Sequence, residues 1–163
     1  MVIQVFILIC WFFGFKLHLI CNEKGELLNF MIILGDVDDW KPLEYKAFIE
    51  LIYGKLVGDK GYISKNLFKR LFVDGIQIIT KLKSNMKGAL MSVSDKLLLR
   101  KRAIIETVND ELKNIAQVEH SRHRCFDNFI INLLLGGITA YCFFPKKPCI
   151  NGPSNIDTQI ALF

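Results

Sequence analysis

The stretch Lys55-Leu56-Val57-Gly58-Asp59-Lys60-Gly61-Tyr62, KLVGDKGY, decides how the rest of the chain is read. Its apolar run is of strand length, too short for a helix, and it stops at an acid set between two glycines. That is the form of a short buried strand ending in a carboxylate. Ligands gather at strand ends in α/β sheets, and flanking glycines let a phosphate backbone approach. A single Asp in a loop is more often a turn residue or a cap, so Asp59 needs support from elsewhere in the chain.

Working outward, the neighbouring segments alternate between strand and helix signals. On the N-terminal side, Phe12 to Cys21 alternates Lys16 and His18 with apolar residues, Asn22 to Gly25 reads as a tight turn, and Glu26 to Leu34 returns as the second arm of a hairpin. Gly35 to Asp39 is a loop. Pro42 opens a helix running to Tyr53, with Leu43, Ala47, Phe48 and Leu51 on its buried side. On the C-terminal side, Ser64 can cap a helix to Phe72, Gly75 to Thr80 is a strand, and Lys81 to Ser94 is a basic loop. A long helix follows over 95–116, then an apolar one from Phe126 to Phe144, and 151–163 forms a patternless tail. The order β-β-α-β-α-β-α-α implies an α/β domain with a mixed sheet flanked by helices.

With 163 residues, 52% of them hydrophobic, the chain can bury one sizeable core and is neither disordered nor fibrous. Its charge is uneven. Residues 1–59 carry a net −3, residues 60–113 a net +7, and the remainder +1. A basic excess gathered in one central third attracts polyanions, nucleic acid above all, although solvated helix faces would give the same count. Five cysteines form no C-x-x-C pair and lie in apolar runs, which points to buried free thiols in a reducing compartment.

Thirteen phenylalanines and a mean hydropathy of +0.31 require a test for membrane segments. Val2 to Phe15 falls short of the roughly 18–20 residues a spanning helix needs, and it lacks the basic start and cleavage site of a signal peptide. Phe126 to Phe144 is interrupted by Asp127, Asn128, Asn132 and Gly136-Gly137, and its apolar residues sit at helical spacing. A buried helix explains it better than a span.

The helix over 95–116 supplies the second chemical signal. At about 100° per residue, Arg102, Glu106 and Lys113 project within about 40° of one another, well away from the stripe of Ile105, Val108, Leu112 and Ile115. An i,i+4 ion pair worth a few tenths of a kcal/mol would account for Arg102 and Glu106 taken alone.

Taken with GDKGY, the spacing Arg102-x3-Glu106-x6-Lys113 resembles the Tyr-x2-Arg-x3-Glu-x6-Lys signature of bacterial insertion-sequence transposases of the DDE superfamily. The strings GFKLHLICNEKGELLNF (14–30), GDKGYIS (58–64), ITKLKSNMK (79–87), KRAIIETVNDELKNI (101–115) and VEHSRHRCFDNFIINLL (118–134) resemble one branch, the insertion-sequence group nine hundred and eighty-two. Leu99 stands where the wider signature has Tyr. The resemblance implies a ribonuclease-H-like fold over 11–150, after a divergent apolar start at 1–10 and before the loose tail. It further implies Asp59 and Glu106 as the second and third acids of a metal-binding triad holding two Mg²⁺ or Mn²⁺ ions. Those ions would assist the cutting and joining of DNA phosphodiesters. Lys60, Lys81, Lys83, Lys87, Arg102 and Lys113 would contact the phosphates of insertion-sequence ends. A cytoplasmic, nucleoid-associated setting follows, and a homodimer is one assembly it allows.

The first acid is the departure. In the family it lies on a core strand upstream of the one beginning near Phe12, and nothing before Trp11 is an Asp or Glu. Asp36, Asp38 and Asp39 fall in the loop after the second strand, away from the sheet centre. The expectation is therefore a chain shortened at its N-terminus, inactive alone, with Met1 to Cys10 filling the lost strand's place. Otherwise an unpaired edge would favour aggregation. A non-catalytic DNA-binding module is the alternative, and a small membrane protein ranks third. His120 and His123 have no second ligand pair at zinc spacing, and His18 reads as a packed strand residue.

Overall fold

The computed structural model describes residues 4–12, 14–62, 64–81, 92–118 and 125–149. Five strands form one sheet: β1 (Gln4–Phe12), β2 (Phe15–Asn22), β3 (Leu27–Leu34), β4 (Gly54–Gly58) and β5 (Ile76–Thr80), in the order β3-β2-β1-β4-β5. The first three form an antiparallel meander, while β4 lies parallel to β1 and β5 parallel to β4. This is the mixed sheet expected of a ribonuclease-H-like core, with one strand more at its front than the β-β-α order inferred from sequence.

That extra strand changes how the N-terminus is understood. QVFILICWF is rich in the β-branched and aromatic residues that suit a pleated surface, and it is paired on both sides at the centre of the sheet. Its register with β2 runs from Val5 opposite Asn22 to Phe12 opposite Phe15. A strand thus stands between β2 and β4, formed by residues on both sides of position 10, in the place where a substitute strand was expected. Among the described residues no helix is long and apolar enough to cross a membrane.

Strand alternation divides the apolar residues between two layers. Leu17, Leu19, Val57 and Ile79 face one core, with Leu98, Ile104, Ile105, Val108, Leu112 and Tyr141 from the later helices. Ile20, Leu56, Ile76 and Ile78 face the other, with Leu43, Phe48, Ile52, Tyr62, Leu67 and Leu71.

Helix boundaries depart from the periodic pattern for local reasons. Pro42 to Tyr53 is not one helix: a 3₁₀ turn, Lys41–Glu44, is separated from the single-turn α1 (Lys46–Ile49) by Tyr45 in extended backbone. The break shifts the phase, so Leu43 and Phe48 are buried as expected, whereas Ala47 and Leu51 are exposed and Ile49 and Ile52 take their place. Helix α2 (Lys65–Val73) follows Ser64, which occupies the cap position without a side-chain cap bond. The helix over 95–116 divides into α3 (Val93–Arg100), α4 (Ala103–Asp110) and a π turn, Glu111–Ile115. The wider turn rotates Ile115 out of the stripe into solvent. Phe126 to Phe144 is likewise α5 (Phe126–Asn128), a π segment Phe129–Leu135 and α6 (Gly136–Cys142). Of the cysteines with described side chains, Cys21 is buried, while Cys125, Cys142 and Cys149 are exposed, against the reading of all five as core thiols.

The Tyr141 hydroxyl, buried on α6, donates to the Gly25 carbonyl at 2.7 Å and so ties the last helix to the β2–β3 turn. Tyr141→Phe leaves that carbonyl without the bond and is expected to lower stability by about 1–2 kcal/mol, seen as a reduced urea midpoint at unchanged slope.

Candidate active site and basic groove

Asp59 leaves β4 at its C-terminal end and Glu106 sits in the first turn of α4. Between them stands Arg102, the residue that caps the start of α4 after the α3 helix ends at Arg100. Its Nη1 donates to Asp59 Oδ1 at 2.9 Å, and its Nη2 lies 3.6 Å from Glu106 Oε1. One guanidinium therefore contacts both carboxylates, which converge from segments far apart in sequence. The Arg102 side chain is only 22% exposed, whereas those of Asp59 and Glu106 are 64% and 70% exposed. Both acids are open to solvent and to an incoming ligand.

Asp59 Oδ1 also accepts the Lys60 backbone N–H at 2.7 Å. Partial burial on its own would push this carboxyl up. The Lys60 N–H and the Arg102 charge outweigh it and hold the carboxyl below its ordinary range. Asp59 is thus a firm anion at neutral pH.

Beside this triad runs a groove of about 410 Å³ lined by Lys81, Lys96, Leu99, Arg100, Arg102 and Glu106. The Lys55–Asp95 ion pair, at 2.6 Å, fastens α3 to β4 and fixes one wall of the groove. Four cations against one acid suit a phosphate backbone. Lys96 and Arg100 were counted in the basic segment but not singled out as contacts. Their i,i+4 spacing on α3, beside Leu99, was the signal that could have found them.

The other expected contacts fare differently. Lys60 is exposed in a 3₁₀ turn directly after Asp59. Lys113 lies in the π turn, where the 100° arithmetic that aligned it with Glu106 no longer applies. Lys83 and Lys87 lie outside the described residues, as do His120 and His123 of the zinc reading.

On the opposite face of the sheet is a buried polar cluster that sequence reasoning missed. Lys16 Nζ donates to Asp39 Oδ1 at 2.8 Å and to the Val37 carbonyl at 2.6 Å. His18 Nδ1 is 2.9 Å from the Tyr62 hydroxyl, and His18 Nε2 has no partner among the described residues. Gly61 closes against this cluster: a Cβ there would stand 2.5 Å from Asp39 Oδ2. A side chain there would force the Asp39 carboxylate, held by Lys16, to shift, so internal packing by itself favours the glycine.

The matching family model is the transposase DDE domain, over residues 8–126. The chain belongs to that family. No curated protein matches it. The DDE domain is similar in fold to a solved structure described as a piggyBac transposase synaptic complex with hairpin DNA, at a TM-score of 0.59 and 11% identity. The match covers 85% of this chain but 45% of that one, so the DDE domain spans less than half the length of its structural neighbour.

DDE domains use divalent metal ions, and the donors present set what this one can hold. Asp59 and Glu106 offer hard oxygens with open faces, which suits one hydrated Mg²⁺. Among the described residues no three His, Cys, Asp or Glu side chains are grouped to hold a metal. β1, next to β4, has no acid anywhere along QVFILICWF.

Proposed function

We propose that this chain is the DNA-handling core of a bacterial insertion-sequence transposase, of the group nine hundred and eighty-two, that binds DNA but does not cut or join it unaided. The observation that carries the reading is the meeting of Asp59 and Glu106 on Arg102 at the mouth of a groove lined by Lys81, Lys96 and Arg100. In this reading the three groove cations seat the DNA backbone, with Lys60 beside them. Asp59 and Glu106 face the scissile phosphate and would hold a divalent cation there. Such a cation supplies Lewis-acid activation of the phosphodiester and of the attacking hydroxyl.

Inactivity follows from the acid that β1 lacks. Val5 and Phe6 pair with Leu56 and Val57; two residues further on, that register would bring Leu8 level with Asp59, and in this reading Leu8 takes the place of the family's first acid. With Leu there, two carboxylates remain, too few to steady two ions against a polyanion. The surviving capacity is salt-sensitive DNA binding in the cytoplasm, at the nucleoid.

Fluorescence anisotropy with a labelled duplex tests this. Affinity is expected to fall steeply with added salt, and Lys96→Glu with Arg100→Glu to weaken it about tenfold or more across unrelated sequences. Salt-independent binding, or no response to the charge reversals, would remove the groove from the account. Strand cleavage or joining by the purified chain with Mg²⁺ or Mn²⁺ would overturn the inactivity.

A further inference from the structure

We propose that Arg102 is a latch that makes cation binding and DNA binding mutually reinforcing. The inference rests on the function proposed above and assigns the guanidinium a role beyond contact with phosphate. In the structure Arg102 is engaged by the two carboxylates, Nη1 on Asp59 at 2.9 Å and Nη2 on Glu106 at 3.6 Å. Each ligand of the site competes with one side of that ion pair. A divalent cation bridging the two carboxylates needs the space between them that the guanidinium fills, and a DNA phosphate needs the N–H groups that the carboxylates occupy.

Position makes the exchange short. The helix is interrupted at Lys101 and Arg102, so the Arg102 side chain stands at the corner between the end of β4 and the groove, and it lines the groove together with Lys96 and Arg100. A phosphate held by Lys96 and Arg100 therefore arrives next to Arg102. It offers the fork of N–H groups a bidentate partner at least as good as the two carboxylates, which give it one bond of 2.9 Å and one contact of 3.6 Å. Moving the guanidinium onto phosphate clears both acids for a cation, and a cation on the acids releases the guanidinium for phosphate. The coupling must be reciprocal, since it is a single free energy shared by the two binding events. Without either ligand, the latch offsets part of the charge of two exposed anions beside a groove lined by cations.

Binding of Mn²⁺, followed by the loss of its free-ion paramagnetic signal, reads the first half of the exchange. For the full chain without DNA, Arg102→Gln is expected to bind Mn²⁺ about fivefold tighter or more than wild type. Arg102→Lys should fall between them, because an ammonium cannot span both acids. Lys60→Gln removes an equal charge next to Asp59 without freeing a carboxylate oxygen, and should have a smaller effect. Duplex binding in EDTA reads the second half. Asp59→Asn with Glu106→Gln is expected to tighten DNA binding about fivefold, and that gain should vanish when Arg102→Gln is added. The latch is overturned if Arg102→Gln and Arg102→Lys bind Mn²⁺ no better than Lys60→Gln, or if the DNA gain persists in the triple variant, which would make it a plain charge effect. Binding of both ligands without dependence on Arg102 overturns the latch alone. Absence of Mn²⁺ and DNA binding in every variant overturns the proposed function with it.

Discussion

Between pH 6.5 and pH 4 the fold is expected to lose about 3 kcal/mol through His18 alone. Burial pushes the His18 imidazole down from 6.5 to about 4, the Asp39 charge opposes this, and the Lys16 charge adds to it. The geometry gives the reason. His18 has no exposed surface, Tyr62 occupies Nδ1, and a proton on Nε2 would find no acceptor among the described residues. The unfolded chain takes up a proton on this histidine near 6.5, while the folded chain refuses it until about 4. The stabilising contribution is therefore complete above 6.5 and is lost as pH falls through that window. Urea midpoints measured across it should drop for the wild-type chain and change much less for His18→Leu. Asp59 and Asp95, both held below the usual carboxylate range, act in the same direction but at lower pH, so they do not mimic the effect. Equal slopes for wild type and variant would show that His18 is hydrated in the folded state.

The sheet was legible wherever a strand had alternation or a glycine stop. β2, β3, β4 and β5 lie within a few residues of their expected bounds, because a period of two and flanking turns are local signals. β1 was harder. A continuous run such as QVFILICWF looks the same as a strand paired on both sides or a short membrane-seeking segment, and only its partners β2 and β4 decide which. Helix phase failed at Tyr45, at Lys101-Arg102 and at the π turn Glu111–Ile115, where backbone geometry changes without any Pro or Gly to announce it. Asp59 and Glu106 were visible from spacing and resemblance, and the structure brings them onto one guanidinium. The exchange of partners at Arg102 was not visible, because an i,i+4 pair and a contact 43 residues away look alike until the strand end and the helix start are placed together. The Lys16–Asp39 and His18–Tyr62 pairs escaped for the same reason: each joins residues whose proximity exists only in the folded sheet.

Placing an acid on β1 is the strongest test of the two-carboxylate site. Leu8 pairs with Leu19, whose side chain packs in the same core as α4, and it lies two residues beyond Phe6, the partner of Val57, as Asp59 lies two residues beyond Val57. Leu8→Asp would add a third hard ligand where Asp59 and Glu106 already converge. Three carboxylates repel one another without a cation, so the free variant should be less stable than wild type. With Mn²⁺ the order should reverse. Cation affinity is expected to rise by on the order of a hundredfold, since affinity for hard cations is tuned over decades by the number of charged ligands. A concentration a hundred times the new dissociation constant would return about 2.7 kcal/mol of stability, which a thermal melt with and without Mn²⁺ would detect. Leu8→Asn supplies a similar shape without the charge and should gain little. If Leu8→Asp binds Mn²⁺ no better than Leu8→Asn, β1 does not stand in the place of the family's first acid-bearing strand. If it binds and also nicks duplex DNA, the absent acid is what separates this chain from a working DDE core, and every other part of the site is already in position.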